Sequence, residues 1–167
     1  MKPFRGVFPA NFIMLMQRKR HAAFTLVELM LVVAILVDLA IIAMPSFIRA
    51  RKSAQNARFS SDLRAATTAF EMYAAENNKY PPDAAPGIVP TGMSIYLQGF
   101  NWTATNTLGG SWAWDHNSNG LTAGIAVILP GNDHLRMTDI DTQIDNGILT
   151  TGGFRKMTST RYAHIIE

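Results

Sequence analysis

The chain of 167 residues contains no cysteine. That excludes a disulfide scaffold, a thiolate metal site and a cysteine nucleophile in any redox compartment. Charge is sparse as well, at 16% of residues against 48% hydrophobic. The excess of three positive charges is not spread along the chain. Lys2, Arg5, Arg18, Lys19 and Arg20 all precede residue 24, which leaves ten basic against twelve acidic residues beyond it. A basic tail on a slightly acidic body gives no footprint for nucleic acid, and no such partner is expected.

The strongest feature is the run from Ala22 to Ile48, almost wholly apolar and interrupted by Glu28, Asp38 and Pro45. As a helix it is long enough to cross a hydrocarbon layer of about 30 Å. It is longer than the 7 to 15 apolar residues, roughly, of a secretory signal peptide. Arg18, Lys19 and Arg20 favour a cytoplasmic N-terminus, which places the residues after Ile48 outside, although Arg49, Arg51 and Lys52 oppose them on the far flank.

Beyond Ile48 the spacing of Phe59, Leu63, Ala66, Phe70 and Tyr73 by threes and fours continues the helix, now with a single apolar stripe. One helix is therefore predicted from Phe24 to about Asn78, lipid-facing over 24–48 and amphipathic over 49–78, ended by Asn77, Asn78, Pro81 and Pro82. Residues 79–167, rich in Gly, Asn, Thr and Pro, read as a small β-rich domain. Strands are expected at Ser111–Trp114 and Ala123–Leu129 around a turn at Asp115–Gly120, with another at Arg161–Ile166. Pro82–Pro90 and Asp139–Gly153 read as loops.

Arg18-Lys19-Arg20-His21-Ala22-Ala23-Phe24-Thr25-Leu26-Val27-Glu28, with Pro45 at the twenty-second place from Phe24, resembles the N-terminal signal of type IV pilins and type II secretion pseudopilins. The likeness is specific over residues 18–58 and touches Asn77-Asn78-Lys79-Tyr80-Pro81. It implies a pilin-like α+β fold, a long helix packed on a small antiparallel sheet. It implies cleavage by a prepilin peptidase between Ala23 and Phe24, loss of the leader 1–23, and N-methylation of Phe24. Ala23 stands where the family usually has glycine. The mature chain then carries a formal charge of −2. Further implied partners are other copies in a helical filament, other pilin-like subunits and an inner-membrane assembly platform.

A carboxylate within an apolar layer needs a partner. About fifteen Leu, Ile, Val and Phe contribute near −7 kcal/mol to insertion, and two central acids cost about +5 to +7. A segment so balanced can be drawn from a bilayer by an apolar environment that offers a countercharge. Glu28 is accordingly expected to meet the Phe24 amine of a neighbouring copy and set axial register; the simpler reading places it at the interface beside Lys19 or Arg20. Asp38 is ten residues on, about 280° around the helix; it can meet a basic residue of a neighbour, contact a partner protein or be protonated in the bilayer, and an intersubunit contact is the expectation. Pro45 removes the bond to the Ile41 carbonyl and is expected to kink or loosen the helix.

Two groups of residues are metal candidates. Asp115, Asn117, Asn119 and Gly120 imitate half a calcium loop, but Ala126 stands where an EF-hand requires glutamate, and an Asx-rich turn explains the same residues. Asp139, Asp141 and Asp145 offer a second site, and the resemblance implies a calcium-stabilised C-terminal loop. Trp102, Trp112 and Trp114 suggest either core packing or a ligand platform. His116, His134 and His164 lack metal-ligand spacing, and no arrangement of nucleophile, base and orienting group is present, so the chain reads as an enzyme's substrate and not as an enzyme. The expected function is a pseudopilin polymerising into an envelope-spanning pseudopilus for type II secretion. The alternatives are a type IV pilus subunit for adhesion, motility or DNA uptake, and a monomeric membrane-anchored ligand-binding module.

Overall fold

The structure, a computed structural model, describes residues 24–131 and 133–167. The expectations on the leader, including Ala23, lie outside the described residues. The chain divides between Ala43 and Met44 into two units. Helix α1, Leu26–Asn77, contributes to both and runs on through Pro45. In the first unit its apolar side chains are open, with Leu26 and Val27 more than 70% exposed. The helix ends where Asn78 takes a positive φ of 54°, a left-handed stop that asparagine tolerates, ahead of Pro81 and Pro82.

The second unit is built on the stripe read from the sequence. Phe59, Leu63, Ala66, Ala69 and Phe70 are buried against a four-stranded antiparallel sheet of order β1-β2-β4-β3. Its strands are β1 Ser111–Ser118, β2 Leu121–Ile128, β3 Phe154–Lys156 and β4 Arg161–Ile165. Period-two alternation gives the sheet two faces. Trp112 and Trp114 point toward the helix, Trp112 stacking on Phe59 at 5.2 Å and Trp114 on Phe70 at 4.0 Å. The opposite face carries Ala113, Ala126 and Ala163, all fully buried under longer side chains that include Ile128, Met157 and Ile165.

The structure corrects two local expectations and adds a third element. The first hairpin turn is not six residues but two: β1 runs to Ser118, Ser118 pairs with Leu121, and Asn119 and Gly120 turn the chain with φ of 51° and 80°. Both left-handed positions match the right-handed twist of the flanking strands. Asp115 is therefore a strand residue. Second, Asp139–Gly153 is not all loop, because α2 spans His134–Ile144. Its signal was an Asp133 cap, whose carboxylate accepts from the Arg136 amide, and Met137, Ile140 and Ile144 on one face. Third, Phe154–Lys156 forms a strand, paired with β4, that three residues were too short to announce.

Candidate functional site

The site with the most chemistry in the sequence is the start of α1. Phe24 is 73% exposed, and Leu29, Leu31, Val32, Ile35 and Leu36 are each 48% or more exposed. So continuous an apolar surface is stable only against lipid or other apolar helices. The helix is long and apolar enough to cross a membrane.

Glu28 is not bare in the isolated chain. Its Oε2 accepts from the Thr25 amide at 2.8 Å and from the Thr25 hydroxyl at 2.9 Å, while its own amide donates to Thr25 Oγ1 at 3.2 Å. Thr25 and Glu28 thus form a reciprocal capping box at the helix start. Its signature in the sequence is the Thr-x-x-Glu spacing of Thr25 and Glu28. Asp38 is exposed on the same helix, and its carboxylate makes no hydrogen bond or ion pair with the described residues.

The metal candidates sort by their partners. Asp115 is 1% exposed and committed: Arg161 Nε donates to its Oδ2 at 3.0 Å, Arg161 Nη2 pairs with its Oδ1, and Asn119 Nδ2 donates to Oδ1 at 2.9 Å. Asn117 turns away with φ of 52°, its amide beside His116 Nε2. That group closes a hairpin.

The second trio is split by the geometry of α2. Asp141 and Asp145, four residues apart, share a face, and Asp139 does not. Asp139 is exposed and lines a different cavity, against Arg49 and Lys52. Asp141 is fully buried, and neither carboxylate oxygen has a hydrogen-bond partner. Burial pushes its carboxyl above the usual range and the neighbouring Asp145 charge pushes it further, while the amides of Gly147 and Ile148, near the carboxylate but outside hydrogen-bond geometry, pull it back in part. Asp145 Oδ2 accepts from the Gly153 amide at 2.6 Å, and Gly152, with φ of 86°, passes so close that a Cβ there would overlap that oxygen. Nearby, burial pushes the His164 imidazole down, partly opposed by Asp145 and Glu71, and its Nδ1 is buried without a partner.

A buried, orphaned carboxylate beside a second carboxylate and loop backbone is a donor set suited to a hard divalent cation. Among the described residues no three His, Cys, Asp or Glu side chains converge, so backbone oxygens would have to supply most of the coordination. The tryptophans are settled in the core: Trp102, Trp112 and Trp114 are 1, 3 and 0% exposed. They offer no open face on which a ligand could stack, which corrects the ligand-platform alternative. The Trp102 and Trp114 indole N–H groups donate to the carbonyls of Ile88 and Pro81.

A family model described as the prokaryotic N-terminal methylation motif matches residues 18–44. The type II secretion system core protein G of Aeromonas hydrophila is 38% identical over 66 residues, 40% of this chain and 46% of that protein. The type IV major pilin protein PilA of Myxococcus xanthus (strain DK1622) is 39% identical over 61 residues, 36% of this chain and 28% of that protein. The type IV wide pilus major component PilA4 of Thermus thermophilus is 39% identical over 62 residues, 37% of this chain and 47% of that protein. In each of the three the matched stretch is less than half of the relative's length. No solved structure matches the chain.

Proposed function

The chain belongs, through its N-terminal segment, to the type IV pilin and type II secretion pseudopilin family, and from that premise we propose that it is a filament subunit, a pseudopilin of a type II secretion system. The observation that carries the proposal is the coincidence of the methylation motif with a bare apolar helix. Residues 24–43 present a surface that water does not tolerate, and no described residue covers it. Before assembly the solvent for that surface is the inner membrane, with the N-terminus cytoplasmic and the β-rich unit periplasmic. After assembly it is the same surface of other copies, in a filament in the periplasm or at the cell surface.

Prepilin peptidase removes residues 1–23, and the amine of Phe24 is methylated. The new amine then stands four residues before Glu28, and in the filament Glu28 exchanges its own Thr25 donors for the amine of the adjacent copy. Asp38 makes a further intersubunit contact. The chain is thus substrate and structural part, with no catalytic role of its own. A calcium ion held by Asp141 and Asp145 is a structural element of the same proposal, neutralising a buried charge that otherwise opposes folding.

The test is mass spectrometry of the membrane-extracted protein together with a deletion strain. Methylphenylalanine at residue 24 and a loss of protein export support the reading. Chains beginning at Met1 as the only species overturn it. A strain that exports normally but loses motility, adhesion or DNA uptake transfers the chain to the type IV pilus reading, which the two pilin relatives favour.

A further inference from the structure

Apolar character ends at Ile48, and the next charged residues are Arg49, Arg51 and Lys52. At 1.5 Å of rise per residue, all three stand within about 6 Å of the last apolar residue. With Phe47 69% exposed and Ile48 48% exposed, that height is the headgroup layer of any bilayer the helix crosses.

Two of these cations do not simply point into water. Arg49, Lys52 and Ser53 lie on one face of α1 and form one wall of a cavity of about 430 Å³; Asp139, Thr142 and Gln143 of α2 form the other. Arg51 is not on either wall. The opposing helix is held in place above them by Arg136, whose Nε donates to Asn56 Oδ1 at 2.9 Å and whose Nη2 donates to Gln55 Oε1 at 2.8 Å. That guanidinium is used. The side chains of Arg49 and Lys52 form no hydrogen bond or ion pair with the described residues.

The cavity therefore combines two unpaired cations with one carboxylate, leaving one positive charge, and adds a hydroxyl and an amide on the far wall. We propose that it binds the headgroup of an anionic phospholipid of the phosphatidylglycerol type. Arg49 and Lys52 hold the phosphodiester, which carries one negative charge, and Asp139, Thr142 and Gln143 meet the glycerol hydroxyls. A zwitterionic ethanolamine headgroup leaves the cavity's positive charge unmatched. The inference rests on residues 24–48 spanning a membrane. Its consequence is a subunit moored at the outer headgroup layer, so that extraction into a polymer must release a specific lipid.

Native mass spectrometry of the full chain in mild detergent tests this, with phosphatidylglycerol, phosphatidylethanolamine or soluble glycerol phosphate added separately. One phosphatidylglycerol should be retained per chain, with phosphatidylethanolamine at least about tenfold weaker and glycerol phosphate not retained. R49Q and K52Q should each lower retention about tenfold. R51Q, an equal charge loss at the same height, should leave it unchanged. Equal losses in R51Q and R49Q would overturn the proposal in favour of diffuse attraction. Equal binding of glycerol phosphate would overturn it in favour of a soluble anion. Liposome flotation separates the premise from the inference: a wild-type chain that floats but retains no lipid has a membrane span and no such site, and a chain that does not float removes the span itself.

Discussion

Arg161 on β4 reaches across β2 to grip Asp115 on β1, with Nε 3.0 Å from Oδ2 and Nη2 on Oδ1, on the sheet face turned away from α1. The register puts Ser111, Ile128 and Arg161 in line and Asp115 four residues along, so both side chains stand on one face. Between them lie Gly124 and the buried Ala113, Ala126 and Ala163. Only small residues leave room for an arginine stem to lie along the sheet, and the stem in turn covers them.

Because the Asp115 and Arg161 side chains are only 2% and 14% exposed, removing one strands the other. R161A should destabilise the folded unit by about 3–5 kcal/mol, whereas an apolar pair such as D115L with R161M should cost much less. Chemical denaturation of the detergent-solubilised chain distinguishes them. Equal losses in the single and double variants would make packing, and not charge, the function of the pair.

The turn preceding β2 makes a separate demand. Gly120 has φ of 80° with open space where a Cβ would stand, so the obstacle to a side chain there is backbone strain alone. G120A should cost on the order of 1 kcal/mol, and G120N, a residue that tolerates the left-handed region, less. Thermal melts of the two variants give the order. If G120N proves the worse, the turn is not limited by φ.

The long helix, its stripe and the two strands of the first hairpin were legible because periodicity records which face is buried. Phe59, Leu63, Ala66 and Phe70 repeat at the pitch of the helix, and Trp112 and Trp114 at that of a strand. What escaped was written in short-range chemistry. Helix α2 contains four Asp and Thr residues in succession with one apolar interruption, Thr138-Asp139-Ile140-Asp141-Thr142, all poor helix formers singly, and the Asp133 cap decided it. The separation of Asp139 from Asp141 follows only once that helix is known, since a loop would have let three acids converge. The alliance of Asp115 with Arg161, 46 residues apart, had no local signal.

Asp141 makes stability depend on pH in a stated direction. Its folded-state pKa is raised above the ordinary value of 3.8, so the protonated form fits the fold better. Its contribution is complete below that ordinary value and is lost as pH rises through the folded value. At neutral pH and without divalent ions, D141N should therefore be more stable than wild type by about 1 kcal/mol, within the cost of an unsatisfied buried group. Calcium should raise the wild-type melting temperature and leave that of D141N unchanged. A wild-type Tm indifferent to calcium and to chelator would remove the ion from the acidic loop.

His164 gives the opposite limb. Its pKa is lowered by burial, so its contribution is present above the ordinary value of 6.5 and is lost as pH falls through the folded value. H164Q should flatten the stability profile below neutrality while leaving the Asp141 limb in place. Urea titrations at several pH values separate the two, and an unchanged acid limb in H164Q assigns that limb elsewhere.

The deepest test concerns what Glu28 contributes beyond its cap. In the single chain the carboxylate is satisfied by Thr25 at 2.8 and 2.9 Å, an arrangement glutamine reproduces, because a capping box needs only an acceptor at the fourth place. A methylated terminal amine on a neighbour, by contrast, needs the charge. E28Q should then insert, be cleaved and keep its soluble unit folded, yet fail to give stable polymer, and T25A should weaken the helix start by about 1 kcal/mol while still polymerising. E28A loses both functions and cannot tell them apart. Filament yield by electron microscopy, scored beside N-terminal processing, is the measurement. Normal filaments from E28Q with none from T25A would make the residue a helix cap and nothing more, and would move the choice of axial register to another contact such as Asp38.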